Sequence, residues 1–161
     1  MRRASPDEPA SGEAAWSAGL RLLARRELST AQVRTRLLQK GYTPAAVDDA
    51  IGRLTASGAL DDARVARASA STRLRVKRQG RDRVRRELAA IGIDRDVADR
   101  ALNEVFGASD EDALLERALD CRLRPGMQLA DPAVRRRLAG ALVRQGFALG
   151  AVLSAIRRRG N

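Results

Sequence analysis

Apolar residues recur along this chain at the spacing of amphipathic helices, and they do so in three similar stretches. In each stretch, apolar residues eight and four positions before a glycine share one helical stripe, and a large apolar residue follows the glycine at once. The glycines are Gly41, Gly92 and Gly146, at intervals of 51 and 54 residues. A second apolar stripe follows each glycine. Each stretch therefore predicts a helix, a tight turn and another helix, and the repetition indicates stacked supersecondary units.

Signals for helix starts and stops lie where this pattern requires them. A glycine suits a helix end in the left-handed conformation, and the apolar residue after it is placed to fold back on the helix. Ser29 with Gln32 predicts a capping box, while Thr43–Pro44 and Asp131–Pro132 predict helix starts. Local chemistry thus supports the helical interpretation of the apolar pattern.

A further helix is expected before each of the three pairs. One begins near Asp61 and runs to about Lys77, and another begins near Ser109. Because no stretch shows sustained strand alternation, we predict an all-α chain. Its helices are expected to form three tandem three-helix, helix-turn-helix-like repeats in an elongated, curved molecule. The expected ranges are a disordered tail over 1–12, a first module over 13–59, a basic second module over 60–107 and a third module over 108–161.

The charge of the chain is concentrated in one segment. The formal net charge is +11, and residues 64–86 hold ten basic side chains against the single carboxylate of Asp82. The residues before and after this segment are close to balanced. Such a concentration is typical of a surface that contacts a polyanion or an acidic partner. The predicted contact residues are Arg64, Arg67, Arg73, Arg75, Lys77, Arg78, Arg81, Arg83, Arg85 and Arg86.

Several explanations of this basic segment remain open. It could be a solvated face, a nucleic-acid contact or a contact to an acidic protein groove. The second helices of the first two pairs carry too many carboxylates to suit a DNA major groove, and the basic segment contains no aromatic residue on which a base could stack. Any contact to single- or double-stranded DNA is therefore expected to involve phosphates and to carry little sequence information.

Composition argues against an enzyme. The chain has no histidine, and Cys121 is its single cysteine, so the usual general base and an activated thiol are both missing. We expect Cys121 to be a small core residue on the stripe of Leu114 and Ala118. No metal or cofactor site is predicted, because the glycines are spaced as helix stops. Cysteine usage, the lack of a signal peptide and the lack of a membrane-length apolar run predict a cytoplasmic location.

Four motifs, in a fixed order, resemble the RecX family of recombination regulators. The run ARRELSTAQVRTRLLQKGY is followed by a G-x-LDD-x-R-x-A junction from Gly58 to Ala66. An R-x-R-x-E-L…GI unit then runs from Arg83 to Ile93, and an L…RQGF motif closes the series at Phe147. The resemblance covers residues 14–158. Family members often carry aromatic residues in the helix after the junction, where this chain has Val65 and Ser69.

The resemblance implies a function that composition alone does not. Members of the family bind the RecA recombinase on single-stranded DNA, lodge in the groove of its filament, and hinder filament growth, ATP hydrolysis, strand exchange and coprotease activity. A non-enzymatic, monomeric regulator of recombinational DNA repair and the SOS response is therefore expected, with the RecA filament as partner and segment 64–86 as the main contact. The alternative is a sequence-independent DNA-binding protein. Arginines 135–137 and 157–159 are either a second contact or solvated surface.

Overall fold

The computed structural model describes residues 12–107 and 111–160, and within them it contains nine α-helices and no strand. The all-α prediction is confirmed. Residues 1–11 of the predicted tail and Ser109 lie outside the described residues, and the first helix begins at Gly12. The helices are α1 (Gly12–Leu23), α2 (Thr30–Gln39), α3 (Pro44–Ala56), α4 (Asp62–Arg75), α5 (Arg81–Ala90), α6 (Arg95–Gly107), α7 (Glu111–Asp120), α8 (Pro132–Arg144) and α9 (Leu149–Gly160).

Side-chain caps begin three of these helices where the sequence predicted them. The Ser29 hydroxyl accepts a hydrogen bond from the Gln32 amide at 3.2 Å, and the Gln32 side chain accepts one from the Ser29 amide at 3.2 Å. Thr43 caps α3 at 3.3 Å, and Asp131 caps α8 at 2.8 Å. Each cap satisfies a backbone N–H that the helix itself leaves unpaired, a contribution of about 1 kcal/mol.

The described chain divides into two compact units. The first holds the chain up to Val65 together with Ala90–Asp94, and the second holds Ala66–Ala89 together with the chain from Arg95. In the first unit, α1, α2 and α3 pack around a core that includes Val33, Leu37 and Leu54, each fully buried. In the second unit, α7, α8 and α9 pack around a separate core to which Leu119, Leu142 and Val152 belong. The apolar stripes predicted for the first and third repeats are the faces buried in these cores, and Val84, Leu88 and Leu102 of the middle repeat are buried as well.

The three repeat glycines end their helices in the left-handed conformation. Gly41, Gly92 and Gly146 have φ values of 88°, 77° and 100°. In the third turn, the Phe147 amide donates to the Leu142 carbonyl at 3.2 Å, and the Gly146 amide donates to Val143 at 2.9 Å. The first turn carries the same pair of bonds. Phe147 is also buried against the helix it follows, so the predicted fold-back contact is confirmed.

Helix α4 ends differently from these three, and earlier than predicted. It stops at Arg75, and Arg78 adopts a positive φ of 50°. The Gln79 amide donates to the Arg73 carbonyl at 3.1 Å, so Arg78, like the repeat glycines, directly precedes the residue whose amide bonds back to the helix, although this loop is one residue longer than those at Gly41 and Gly146. The helix predicted to run to about Lys77 therefore ends two residues earlier, and Arg78 lies outside it. An arginine carries no sequence signal for a left-handed helix end, which is why the end of this helix was predicted too late in the chain.

The start of one helix packs against the glycine turn of the following repeat, and it does so in both units. In the first unit, the Ser29 hydroxyl donates to the Ile91 carbonyl, directly before Gly92. In the second unit, the Gly80 amide donates to the Gln145 carbonyl at 2.9 Å, directly before Gly146. Ser29 and Gly80 stand at equivalent repeat positions, 51 residues apart. Equivalent positions therefore meet in both units, through a side-chain hydroxyl in the first and a backbone amide in the second.

This turn contact explains why two of the three turns need glycine for more than its backbone freedom. A Cβ atom on Gly146 would lie 2.5 Å from the Cβ of Arg83, and one on Gly92 would overlap the Cβ of Ala31. A Cβ on Gly41 would meet no described atom within 4 Å. Gly41 is thus required for its φ angle alone, whereas Gly92 and Gly146 are also required for close approach.

We predict that alanine substitutions at the glycine turns differ in cost. Gly41→Ala should lower the free energy of unfolding by about 1–2 kcal/mol, the penalty of a left-handed backbone. Gly146→Ala should lower it by about 1–3 kcal/mol more, because its methyl group would overlap a packed neighbour. Urea unfolding followed by circular dichroism measures both values. Equal losses for the two variants would contradict the proposed role of close approach.

Candidate partner-binding surface

The structure separates the ten predicted contact residues into groups with different surroundings. Arg64 lies in the first unit and the other nine lie in the second. Four belong to α4, namely Arg64, Arg67, Arg73 and Arg75, while Lys77 and Arg78 lie in the link to α5. The remaining members of the segment lie on α5, and they are Arg81, Arg83, Arg85 and Arg86.

Arg64 is occupied by contacts within its own unit. Its Nε atom lies 2.8 Å from a Glu27 carboxylate oxygen, and its guanidinium donates to the Gly58 and Ala59 carbonyls at 3.2 Å each. It also lies 3.7 Å from Asp61. A guanidinium with these partners holds the junction before α4 in place, so Arg64 is poorly suited to bind an external anion.

A second group of arginines converges on Glu87. Arg73 forms an ion pair with this carboxylate from α4, and the Nε atom of Arg83 donates to it at 3.1 Å from within α5. The side chains of Arg73 and Glu87 are only 23% and 26% exposed. A partly buried carboxylate needs these partners, because an unpaired charge is costly away from water. Arg73 therefore tethers α4 to α5.

Arg85 forms a third ion-pair group, which joins α5 to α6. Its Nε atom lies 2.9 Å from Asp99, and its Nη1 atom lies 2.9 Å from Asp82. The hydrogen bond from the Arg85 guanidinium holds the pKa of Asp99 below its usual range. The same bond raises the pKa of Arg85 above its ordinary value. Both charged forms are thus stabilised by the fold.

Arg78 and Arg81 contact neutral groups. Arg81 donates to the Asn103 side-chain oxygen, and Arg78 Nη1 donates to the Cys121 sulfur at 2.7 Å. Cys121 is exposed, so the expectation that it is a core residue is wrong. The physical reason is that α7 ends at Asp120 and its buried stripe consists of Leu115, Ala118 and Leu119. Cys121 lies directly past the helix end and off this buried stripe.

Four of the predicted residues remain available to a partner, and we call them the open cations. Their side chains are exposed, and within the described parts of the chain none of them forms an ion pair or a hydrogen bond. Because no intramolecular contact has to be broken, these side chains can bind an anion at low cost. The open cations are Arg67, Arg75, Lys77 and Arg86.

One open cation, Lys77, also lines a polar cavity of about 360 Å³ within the second unit. Arg83, Arg122 and Arg144 line it as well, and the described lining contains no carboxylate. Sequence reasoning missed Arg122 and Arg144. No local signal marks them, because both are distant in sequence from Lys77 and come beside it only in the folded chain. We call this feature the basic cavity.

The described residues hold neither a cluster of metal ligands nor a helix of membrane-spanning character. Over 12–107 and 111–160, no group of three or more His, Cys, Asp or Glu side chains could hold a metal ion. None of the helices in those ranges is long and apolar enough to cross a membrane.

Comparisons with known proteins identify the family. A model described as the first three-helix domain of RecX matches residues 15–54, and one described as the second three-helix domain of RecX matches residues 61–102. The regulatory protein RecX of Mycobacterium ulcerans (strain Agy99) is 34% identical over 144 residues, covering 89% of this chain and 83% of that protein. The chain belongs to the RecX family of regulatory proteins.

Other RecX proteins agree with this assignment. The regulatory protein RecX of Syntrophotalea carbinolica is 33% identical over 135 residues, covering 83% of this chain and 88% of that protein. The crystal structure of RecX from Lactobacillus salivarius matches with a TM-score of 0.75 at 18% identity, covering 91% of this chain and 95% of the other. A second RecX crystal structure matches with a TM-score of 0.80, also at 18% identity, covering 98% of this chain and 82% of the other. The structural matches show the shared RecX fold.

We predict that the Asp99 carboxyl group loses its low pKa when Arg85 is replaced. In Arg85→Gln the pKa should rise toward the ordinary value of about 4, because the main hydrogen-bond donor is gone. A lowered folded-state pKa stabilises the fold above the unfolded-state pKa, and this stability disappears as the pH falls through the folded-state value. Arg85→Gln should therefore show a weaker loss of stability in acid.

Carboxyl-carbon NMR titration of Asp99 tests this directly, with Arg100→Gln as the matched control. Arg100 is an exposed arginine on α6, and it is not among the groups that shift the pKa of Asp99. The control should titrate like the unaltered protein. Identical Asp99 titrations in all three proteins would refute the assigned role of Arg85.

Proposed function

We propose that this RecX-family protein is a non-enzymatic regulator that binds the RecA filament on single-stranded DNA. By binding it inhibits the recombinase and coprotease activities, and so modulates recombinational DNA repair and the SOS response in the cytoplasm. The observation that supports the proposal best is the presence of open cations beside a basic cavity, in a member of a family of regulators. No cofactor is required for such a function.

The proposed contact is narrower than the basic segment of the sequence. Arg64, Arg73 and Arg85 are engaged by carboxylates, and their role is to hold the helices that display the other cations. Binding energy is expected to come from the open cations and from Arg122 and Arg144 of the basic cavity, which no carboxylate engages in the described chain, so that new ion pairs form there without loss of old ones. Paired arginines would first have to give up a partner.

A filament of recombinase and DNA offers anions that suit these cations. Phosphates and protein carboxylates both accept hydrogen bonds from guanidinium groups, often through two parallel bonds. Neither kind of anion requires the protein to distinguish bases, and the open cations carry no neighbouring aromatic side chain for stacking. The contact is therefore proposed to be independent of DNA sequence.

A sequence-independent DNA-binding protein is the second candidate function. The basic cavity favours it, because four cations converge there without a carboxylate in the described lining. A phosphate is an anion that such a cavity could hold. In this case the protein would act on DNA directly and would not need a recombinase.

We predict that the combined Arg67→Ala, Arg75→Ala, Lys77→Ala and Arg86→Ala variant loses inhibition of RecA's ATP hydrolysis on single-stranded DNA. The concentration for half inhibition should rise by about tenfold or more, because several charge contacts are removed together. Helicity and melting temperature should stay nearly unchanged, since these side chains have no partners within the described fold. Titration of the ATPase rate measures the effect.

A matched control removes the same number and types of charge elsewhere. Arg21, Arg25, Arg26 and Lys40 are exposed residues of the first unit, and their alanine variant has the same net charge as the test variant. This control should inhibit normally. If the test variant inhibits as well as the unaltered protein, the open cations take no part in the mechanism.

Binding to DNA alone separates the two candidate functions. A filament regulator should inhibit at well below one protein per recombinase subunit and should bind bare DNA weakly. A DNA-binding protein should inhibit only when the DNA is saturated. Its affinity for duplex DNA should fall with a log–log salt slope of about −0.9 per phosphate contact.

A further inference from the structure

A second surface of different chemistry lies between α8 and α9. It is a groove of about 650 Å³, and its lining includes none of the open cations. Its floor is apolar, with Ala139 from α8 and Leu149, Leu153 and Ile156 from α9. Leu149 is 56% exposed and Leu153 is 44% exposed. Large apolar side chains exposed together in a groove mark a place where another molecule binds.

The rim of this groove is positively charged. Arg135, Arg136 and Arg157 line it, and none of the described lining residues is acidic. Arg135 makes one contact within the fold, a hydrogen bond of 3.3 Å to the Leu129 carbonyl. No carboxylate forms an ion pair with any of the three in the described chain. The groove therefore combines an apolar floor with three available guanidinium groups.

The arginines that follow Arg157 have a different role. Arg158 lies 2.9 Å from Glu116, and Arg159 lies 2.7 Å from Asp120. The hydrogen bond that Arg159 donates to the Asp120 carboxylate raises the pKa of Arg159 above its ordinary value. These two arginines tie α9 to α7. The run at 157–159 is thus divided between the groove and the internal contacts of the fold.

The shape of the floor indicates the kind of molecule that fits. Leu149, Leu153, Ile156 and Gly160 follow one another at intervals of four, three and four residues along α9. They form one stripe about 16 Å long at 1.5 Å per residue. A partner helix of about three turns, with apolar residues at positions i, i+4 and i+7, matches this length.

We propose that the groove binds an acidic amphipathic helix of a partner protein. The apolar side chains of that helix cover Leu149 and Leu153, and Asp or Glu residues beside them pair with Arg135, Arg136 and Arg157. Both parts of the groove are then occupied, since carboxylates of the helix accept hydrogen bonds from the guanidinium groups and its apolar side chains exclude water from the two leucines. A nucleic-acid backbone would leave the two leucines uncovered. The proposal does not depend on RecA being the partner.

Synthetic peptides test the proposed ligand chemistry. The probe is a fluorescein-labelled peptide of about eighteen residues, long enough to form a helix, with leucines at i, i+4 and i+7 and flanking glutamates. One comparison peptide replaces every glutamate by lysine. Another keeps the composition and distributes the leucines around the helix. Fluorescence anisotropy with the full chain should show saturable binding of the probe and at least about tenfold weaker binding of either comparison peptide.

Variants of the chain test the location. Leu149→Ser with Leu153→Ser should weaken probe binding by about tenfold or more, because the leucines of the peptide lose the apolar surface on which they pack. The matched control is Leu38→Ser with Val76→Ser, which changes the other two large hydrophobic residues that are exposed in the described chain, at 41% and 75%. This control should bind the probe normally. Circular dichroism of each variant verifies that its helices are intact.

A charge exchange gives an independent readout. Changing Arg135, Arg136 and Arg157 together to glutamate should abolish binding of the acidic probe and create binding of the lysine peptide. Arg21→Glu with Arg25→Glu and Arg26→Glu is the matched control and should leave the preference unchanged.

The proposal is overturned if the probe does not bind, or if the groove variants and their controls behave alike. It is also overturned if sedimentation shows a dimer that Leu149→Ser with Leu153→Ser dissociates, since the occupant would then be a second copy.

Discussion

The contact between a helix start and the next glycine turn is the constraint on which the candidate surface depends. In the second unit, Gly80 and Gly146 approach so closely that a Cβ on Gly146 would lie 2.5 Å from the Arg83 Cβ. This approach brings Arg144, at the end of α8, beside Lys77 and Arg83 in the basic cavity. A bulkier residue at either glycine would separate the helices that supply the cavity's cations.

Ion pairs decide which arginines can serve function. Glu87 and Asp99 each engage arginines of the basic segment, and these contacts join α4 to α5 and α5 to α6. The segment therefore has two roles, because part of its charge holds the helices and the remainder is open to solvent. A partner that binds only the open cations leaves the stabilising pairs intact. Charge density along the sequence overstates the size of the proposed contact.

The second unit displays two basic surfaces with different chemistry. The basic cavity is polar and suits phosphates or carboxylates, whereas the groove between α8 and α9 has exposed leucines and suits a protein helix with acidic flanks. A regulator that recognises a protein assembled on DNA would have a use for both. The two can be tested separately, because their lining residues do not overlap.

Within residues 12–107 and 111–160, the sequence by itself determined the nine helices, the caps of three of them and the glycine turns, because each of these depends on interactions within one or two helical turns. The tertiary structure alone decided the rest. Glu27 pairs with Arg64 across 37 positions, and Arg122 and Arg144 reach the basic cavity from distant parts of the chain. The left-handed Arg78 and the exposed Cys121 were likewise hidden from the sequence. Ion pairs and cavities join residues through space, and helical periodicity carries no information about such pairings.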